Sequence, residues 1–150
     1  MQTKIPPPLY MLAFSCLMYF LNRYIPILVW LLPPENKIGL VIIFISVMLD
    51  LWSLILFFIA RTTPNPLTPD KTRSLVTTGL YRISRNPMYL GLLLMLIGWA
   101  LYLGSVSPLL LLPLFVFTLN KMQIEPEERL LKEKFGEGYI KYQRRVRRWL

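Results

Sequence analysis

Four apolar stretches constrain this chain more than any other feature, because so much continuous hydrocarbon has few folds open to it. They are residues 9–32, interrupted by Asn22, Arg23 and Pro26; residues 38–60, broken by Ser46, Asp50 and Ser53; residues 88–103; and residues 107–119. A membrane-spanning helix needs about 20 mostly apolar residues, with roughly 17–25 tolerated. The first two stretches meet that requirement. The last two are shorter and joined by Gly104 and Ser105, so they read as a helical hairpin that crosses and returns. Either the bilayer thins locally, or each helix extends to Asn86 and Lys121 at the interface. At 150 residues one domain is expected. At 55% hydrophobic the chain exceeds the roughly 45–50% of soluble domains.

Charge placement sets the orientation. Lys and Arg total 17 against 8 Asp and Glu. Residues 61–87 hold Arg61, Lys71, Arg73, Arg82 and Arg85 against Asp70. The tail holds Lys121, Arg129, Lys132, Lys134, Lys141, Arg144, Arg145, Arg147 and Arg148. The connection between the first two stretches holds only Glu35 and Lys37, and residues 104–106 hold no charge. Basic segments stay on the cytoplasmic side. Four spans put both termini and the middle loop there, whereas three or five would place one basic segment outside. The partner implied by this charge is a membrane surface rather than nucleic acid. No small-residue cleavage site follows the first apolar run, so a cleaved signal is not expected, and a prokaryotic plasma membrane is.

Histidine is absent and Cys16 is the single cysteine. His-based metal sites, His general bases, Cys–His pairs and disulfide frameworks are excluded. Cys16, in an apolar run, reads as a small hydrophobe.

Pro64, Pro66 and Pro69 make the start of the middle loop extended or turned, and Pro87 suits the first turn of the third helix. In the tail, Glu125, Pro126, Glu127 and Glu128 form a helix-start signal. Leu131, Phe135, Tyr139, Tyr142, Val146 and Trp149 then recur at helical spacing. Gly136 and Gly138 predict a break. With a basic opposite face, this segment is expected to lie along an anionic membrane surface.

Two polar clusters flank the hairpin, one at 81–89 and one at 125–128. The hairpin should bring them together. Their guanidinium, amide, phenol and carboxylate groups suit a zwitterionic, partly aromatic ligand. The same residues also read as interfacial arginine anchors, an aromatic belt and a helix start.

The ordered segments Leu75-Val76-Thr77-Thr78-Gly79-Leu80-Tyr81, Arg85-Asn86-Pro87-Met88-Tyr89-Leu90-Gly91, Glu127-Glu128-x-x-Leu131 and Phe135-Gly136-x-x-Tyr139-x-x-Tyr142-x-x-x-Val146 resemble the isoprenylcysteine carboxyl methyltransferase-like family. That family is related to the membrane phospholipid N-methyltransferases. The resemblance covers residues 73–148. It implies an all-α integral membrane protein that uses S-adenosylmethionine and releases S-adenosylhomocysteine, with a lipophilic substrate. By position it implies cofactor contacts from Arg73, Ser74, Leu75, Val76, Tyr81, Asn86, Pro87, Met88, Tyr89, Glu127 and Glu128. Arg85 and Glu127 take the catalytic positions. Asn86 replaces the family's usual histidine. Gln123 replaces an arginine near the substrate, which weakens the case for a prenylcysteine carboxylate.

Methyl transfer from a sulfonium needs alignment and exclusion of water rather than a metal or an enzyme nucleophile. A carboxylate or thiolate acceptor arrives ready to react. An amine must lose a proton, with only Glu, Asp or Tyr to help. A lipidic acid or thiol is therefore favoured over an aminophospholipid.

Asp50 and Arg23 lie inside apolar stretches, where charge is costly and turns inward. Counted from the outer ends at about 1.5 Å per residue, their depths differ by roughly 6 Å. An Arg23–Asp50 ion pair joining two helices is expected; the alternative places Asp50 on the acceptor tunnel. The whole reads as one membrane domain: two N-terminal spans over 1–61, then a cofactor-binding core with hairpin and basic C-terminal helix over 62–150. The oligomeric state stays open.

Overall fold

A computed structural model describes residues 5–60 and 75–150, and these are helical apart from turns and two isolated bridges. Helix α1 is Pro7–Tyr24, α2 is Ile38–Ile59, α3 is Pro87–Leu103 and α4 is Leu111–Leu119. A π-turn, Asn120–Ile124, leads into α5, Glu125–Phe135, and then α6, Glu137–Arg145. The middle-loop prolines lie outside the described residues.

The first apolar stretch is not one helix to Leu32. α1 stops at Tyr24, because Pro26 disfavours helical geometry at Ile25 and supplies no N–H. The chain then packs along the turn between α3 and α4. Trp30 and Leu31 N–H groups both donate to the Gly104 carbonyl, at 3.0 and 3.2 Å, and Val106 N–H donates to Ile27 O at 2.9 Å. Gly104 ends α3 at φ 82°, a left-handed conformation that glycine adopts without cost. The expected hairpin is therefore present, and the 25–31 segment braces its tip.

Among the described residues, two helices are long and apolar enough to cross a membrane, Glu35–Ile59 and Ser107–Phe135. Phe44, Ile45, Trp52, Ile55 and Phe58 of α2 are exposed, as are Leu114 and Phe117 of α4. A large apolar surface left uncovered by protein marks contact with lipid or a partner. α1 and α3, with 18 and 17 residues, are about 26 Å long at 1.5 Å per residue.

The core lies between α1, α3 and α4, where Met18, Leu92, Leu96, Phe115 and Leu119 are buried together. Phe14 and Phe115 meet edge to face at 5.2 Å. α2 packs on α3 in another way. Gly39, Ser46 and Ser53, seven residues apart, are its buried positions; on α3, Gly98 stands against Gly39 and Gly91 against Asp50. Small residues let two backbones approach where no large side chain fits. Each serine hydroxyl donates to its own helix, Ser46 to Ile43 O and Ser53 to Leu49 O, so neither is orphaned in an apolar setting.

The tail differs from its reading in sequence. Glu125-Pro126 does not start a separate helix; Ser107–Phe135 is continuous. Pro126 cannot donate to a carbonyl four residues back, and the π-turn immediately before it widens the helix there. The break at Gly136 is as expected, at φ 50°. The apolar stripe does not lie on a membrane surface: Tyr139, Tyr142 and Val146 are buried against Leu75, Leu131 and Phe135. Trp149 packs on the main core and donates to Asn120 Oδ1 at 3.1 Å.

The α2–α3 seam generates a test. A Cβ on Gly98 would stand 2.6 Å from Gly39 O and 2.9 Å from Ile43 Cγ1. Gly98→Val should lower stability by about 1–3 kcal/mol, the usual range for overpacking. Gly138→Ala, where an added Cβ meets nothing within 4 Å, should leave it unchanged or raise it slightly. Thermal unfolding of the two variants in one detergent compares them directly.

Candidate functional site

α1 and α3 begin at the end of the bundle where α2 finishes, and the long fourth helix runs to that same end. A cavity of about 420 Å³ lies there, walled by Pro6–Pro8, the last third of α2, the first turns of α3, and α5 and α6. This volume is in the range of small-molecule sites, roughly 300–1,000 Å³.

Tyr81, Asn86, Met88, Tyr89, Glu127 and Glu128 all line it, with Leu75, Val76, Arg85 and Asp50. The structure therefore brings both polar clusters to one place. Pro87 is buried at the start of α3 and serves the site by starting the helix. Arg73 and Ser74 lie outside the described residues. Gln123 is not on the cavity: it is buried, and its amide Nε2 donates to Ile5 O at 2.6 Å, tying the π-turn to the chain ahead of α1.

The paired glutamates have separate environments. Glu128 is held between two guanidiniums, with Arg85 Nη2 at 2.9 Å from Oε1 and Arg148 Nη2 at 2.6 Å from Oε2. Glu127 has no cationic partner among the described residues. Tyr89 Oη donates to its Oε1 at 2.5 Å. Glu127 follows Lys121 and Glu125 on the part of the helix too polar for hydrocarbon. Burial pushes its carboxyl up to about 7, against the Tyr89 hydrogen bond, which lowers it; the Glu128 charge adds to the rise. An acid so placed gains from a cation brought beside it.

The loop before α3 is fixed by the C-terminus. Arg85 N–H donates to Arg147 O at 2.9 Å, Asn86 Nδ2 donates to Arg148 O at 3.0 Å, and Ser84 Oγ donates to the same carbonyl at 3.3 Å. Asn86 thus uses its amide to bind backbone, which its short side chain can do without a ring. On the opposite wall Tyr142 Oη donates to Tyr81 O at 2.7 Å. Burial pushes the phenols of Tyr81, Tyr139 and Tyr142 up, Tyr139 to about 12, so they remain neutral.

Asp50 faces α3. A Cβ on Gly91 would overlap its carboxyl group, so glycine is required where the side chain passes into the cavity. Asp50 Oδ1 is buried with no hydrogen-bond partner among the described residues, and Arg85 Nε is likewise unpartnered. The expected Arg23–Asp50 pair is absent among the described residues. Arg23 is exposed on the last turn of α1, at the far end of the bundle from the cavity that Asp50 lines.

Sequence reasoning missed Tyr139, Tyr142, Leu54 and Phe57 as cavity wall, and Arg148 as the second partner of Glu128. The helical stripe containing Tyr139 and Tyr142 carried the signal, since two phenols on an otherwise apolar face each need a polar neighbour.

The donor set fits a cationic, zwitterionic, aromatic ligand such as S-adenosylmethionine. It offers an unneutralised carboxylate, an unpartnered guanidinium N–H and several aromatic faces in one cavity.

Comparison with known proteins agrees in kind. A profile described as phospholipid methyltransferase matches residues 35–138. An uncharacterized protein of Haemophilus influenzae is 46% identical over 63 residues, 42% of this chain and 100% of that protein. The protein-S-isoprenylcysteine O-methyltransferase of Schizosaccharomyces pombe is 32% identical over 77 residues, 51% of this chain and 33% of that enzyme. Its Saccharomyces cerevisiae namesake is 43% identical over 75 residues, 48% of this chain and 30% of that enzyme. The chain thus spans about a third of the length of these two enzymes. No solved structure matches it. With a cavity of this composition and a family match over most of its length, the chain belongs to the phospholipid methyltransferase family, in the isoprenylcysteine methyltransferase-like group of membrane methyltransferases.

Proposed function

We propose that this protein transfers a methyl group from S-adenosylmethionine to a lipophilic acceptor that enters from the bilayer. The observation that carries the reading is Glu127. It is a carboxylate turned into an aromatic cavity, hydrogen-bonded by Tyr89 and left without a cation, while the adjacent Glu128 is fully occupied. When bound, S-adenosylmethionine supplies an activated methyl group on a sulfonium.

The chain's own residues bind, orient and exclude water. Glu127 receives the ligand's ammonium, and Tyr89 holds the carboxylate in place. Arg85, fixed by Glu128, presents its free Nε–H to the ligand's carboxylate. Tyr81, Tyr139 and Tyr142 offer ring faces to the sulfonium and the base. Leu75, Val76, Asn86 and Met88 close the wall. Glu128 contributes by placing Arg85. Gln123, on the far side of the π-turn, acts through the helix rather than on the substrate.

α1, α2, α3 and the apolar part of the fourth helix make four spans. Both termini then sit on the cytoplasmic side with the cavity, in a membrane we take to be a prokaryotic plasma membrane. Water supplies the cofactor and lipid supplies the acceptor, past Asp50, Leu54 and Phe57. A carboxylate or thiolate acceptor is already a nucleophile and needs only positioning. The name carried by the yeast relatives points to a prenylated cysteine carboxylate; Gln123, buried away from the cavity, offers no charge for one. A second reading, an amine acceptor as the family name implies, is favoured by Asp50, whose unpartnered oxygen can take an amine's proton.

Calorimetric titration with S-adenosylhomocysteine tests the cofactor site. Glu127→Ala and Arg85→Ala should each abolish measurable binding while the variants unfold near the wild-type temperature. Unchanged affinity in both refutes the site.

The pH dependence follows from Glu127. The free carboxyl is half protonated near pH 7, and the ligand's ammonium needs it ionised. Binding below that pH must expel a proton. Affinity should therefore fall as pH drops from 7.5 to 5.5, approaching about tenfold per unit. In Glu127→Gln the affinity should be lower and flat across this window.

Asp50→Asn and Gly91→Ala test the acceptor side. Both should keep affinity for S-adenosylhomocysteine. With an amine acceptor both should lose about tenfold or more in labelled methyl recovered on lipid, the size of one charge-assisted hydrogen bond; a carboxylate or thiolate acceptor should lose less. Full transfer by both variants removes Asp50 from the acceptor path.

A further inference from the structure

A second groove, of about 520 Å³, lies outside the cofactor cavity, between the turn Gly79–Arg82 and α6. Arg82 stands on one wall, and Lys141 and Arg145 stand on the other, one helical turn apart. The hydroxyl residues Thr77 and Thr78 line the groove between them. The three cations are exposed, and none forms an ion pair among the described residues. Of the other basic side chains at this end, Lys121, Arg85 and Arg148 have a glutamate, and none of the rest lines this groove. Three converging unpaired cations with hydroxyls beside them make a site for a phosphate group.

We propose that this groove binds the phosphate headgroup of an anionic membrane lipid. Two features favour a lipid over a soluble phosphate. Ile83, next to Arg82 in the chain, is 62% exposed, an apolar side chain open to acyl chains. α3 starts at Pro87, only five residues past Arg82, so the groove lies where that helix enters the apolar layer, the depth at which lipid phosphates sit.

The groove shares a wall with the cofactor cavity. Tyr142 lines both, and its hydroxyl donates to the carbonyl of Tyr81, the residue before Arg82. A phosphate that draws Arg82 toward Lys141 and Arg145 reinforces that contact. Anionic lipid should therefore also tighten cofactor binding, a consequence that rests on the functional reading above.

The test uses the full chain in neutral detergent without cofactor. Thermal unfolding is followed as dioctanoyl phosphatidylglycerol, dioctanoyl phosphatidylcholine or inorganic phosphate is added. Phosphatidylglycerol should raise the melting temperature by mass action, and phosphatidylcholine should do so far less. K141A/R145A should weaken the phosphatidylglycerol response about tenfold or more, as expected for two interfacial cations lost. Arg82→Gln, on the opposite wall, should weaken it in the same direction. R129A/K132A removes the same charge from α5 outside the groove and should leave the response intact. Equal responses to both lipids, or equal losses in the two double variants, overturn the site. A response to inorganic phosphate matching that to phosphatidylglycerol overturns the lipid and leaves a soluble phosphate site. A chain that responds to phosphatidylglycerol yet never binds S-adenosylhomocysteine keeps the groove and removes the cofactor reading of the cavity.

Discussion

The close approach of α2 to α3 sets the geometry on which the site depends. Gly39 meets Gly98 and Asp50 meets Gly91, and the buried small residues Gly39, Ser46 and Ser53 recur every seven positions, which keeps one seam in register. Association of apolar helices gains little from hydrophobicity when lipid surrounds them. What remains is dispersion at short range, which small residues maximise. The seam leaves most of α2 exposed, so α2 contributes almost nothing to the core. It acts as a wall, held along one line. Where that line reaches the cavity, the small residue is Gly91 and the residue facing it is Asp50. A carboxylate can thus enter an apolar bundle only because its neighbour has no side chain.

The second constraint is the interrupted helix. A regular turn through Asn120–Ile124 would set Pro126 against the carbonyl four residues earlier. The π-turn removes that conflict without ending the helix, and the widened turn fixes where the following acids point. Glu127 then meets Tyr89 while Glu128 meets Arg85 and Arg148. Two adjacent carboxylates of the same type acquire opposite tasks from that placement alone. One is neutralised and fixes the loop ahead of α3. The other keeps its capacity for a cation. Burial raises its proton affinity.

Much of this was legible in the sequence, and the failures have physical causes. Gly104 and Ser105 announced the hairpin, and the hairpin alone made neighbours of the clusters at 81–89 and 125–128. The heptad of small residues on α2 was equally visible but is silent without a partner helix, because one strip of Gly and Ser carries no address. Arg23 and Asp50 were matched by depth, and depth does not encode rotation about a helix axis. Pro26, read as an interruption, was a terminator. Pro126 is the reverse case: the residues around it have every mark of a helix start, yet the preceding turn was free to widen. Sequence patterns record local preference, and the continuing backbone chose between two local solutions.

The tail shows why an amphipathic stripe does not identify its solvent. Its apolar and aromatic residues would suit a lipid surface, and its cations would suit lipid phosphates. The stripe includes Tyr139 and Tyr142, however, whose phenols demand polar partners that hydrocarbon cannot supply. Tyr142 finds the Tyr81 carbonyl, and the stripe closes on Leu75 and the cavity. Once that face is committed inward, the cations of the other face are left at the rim. The segment that walls the cavity with Tyr139 and Tyr142 also carries Lys141 and Arg145, which line the groove with Arg82. As proposed, a small ligand and the membrane surface are thus set on opposite faces of one nine-residue helix.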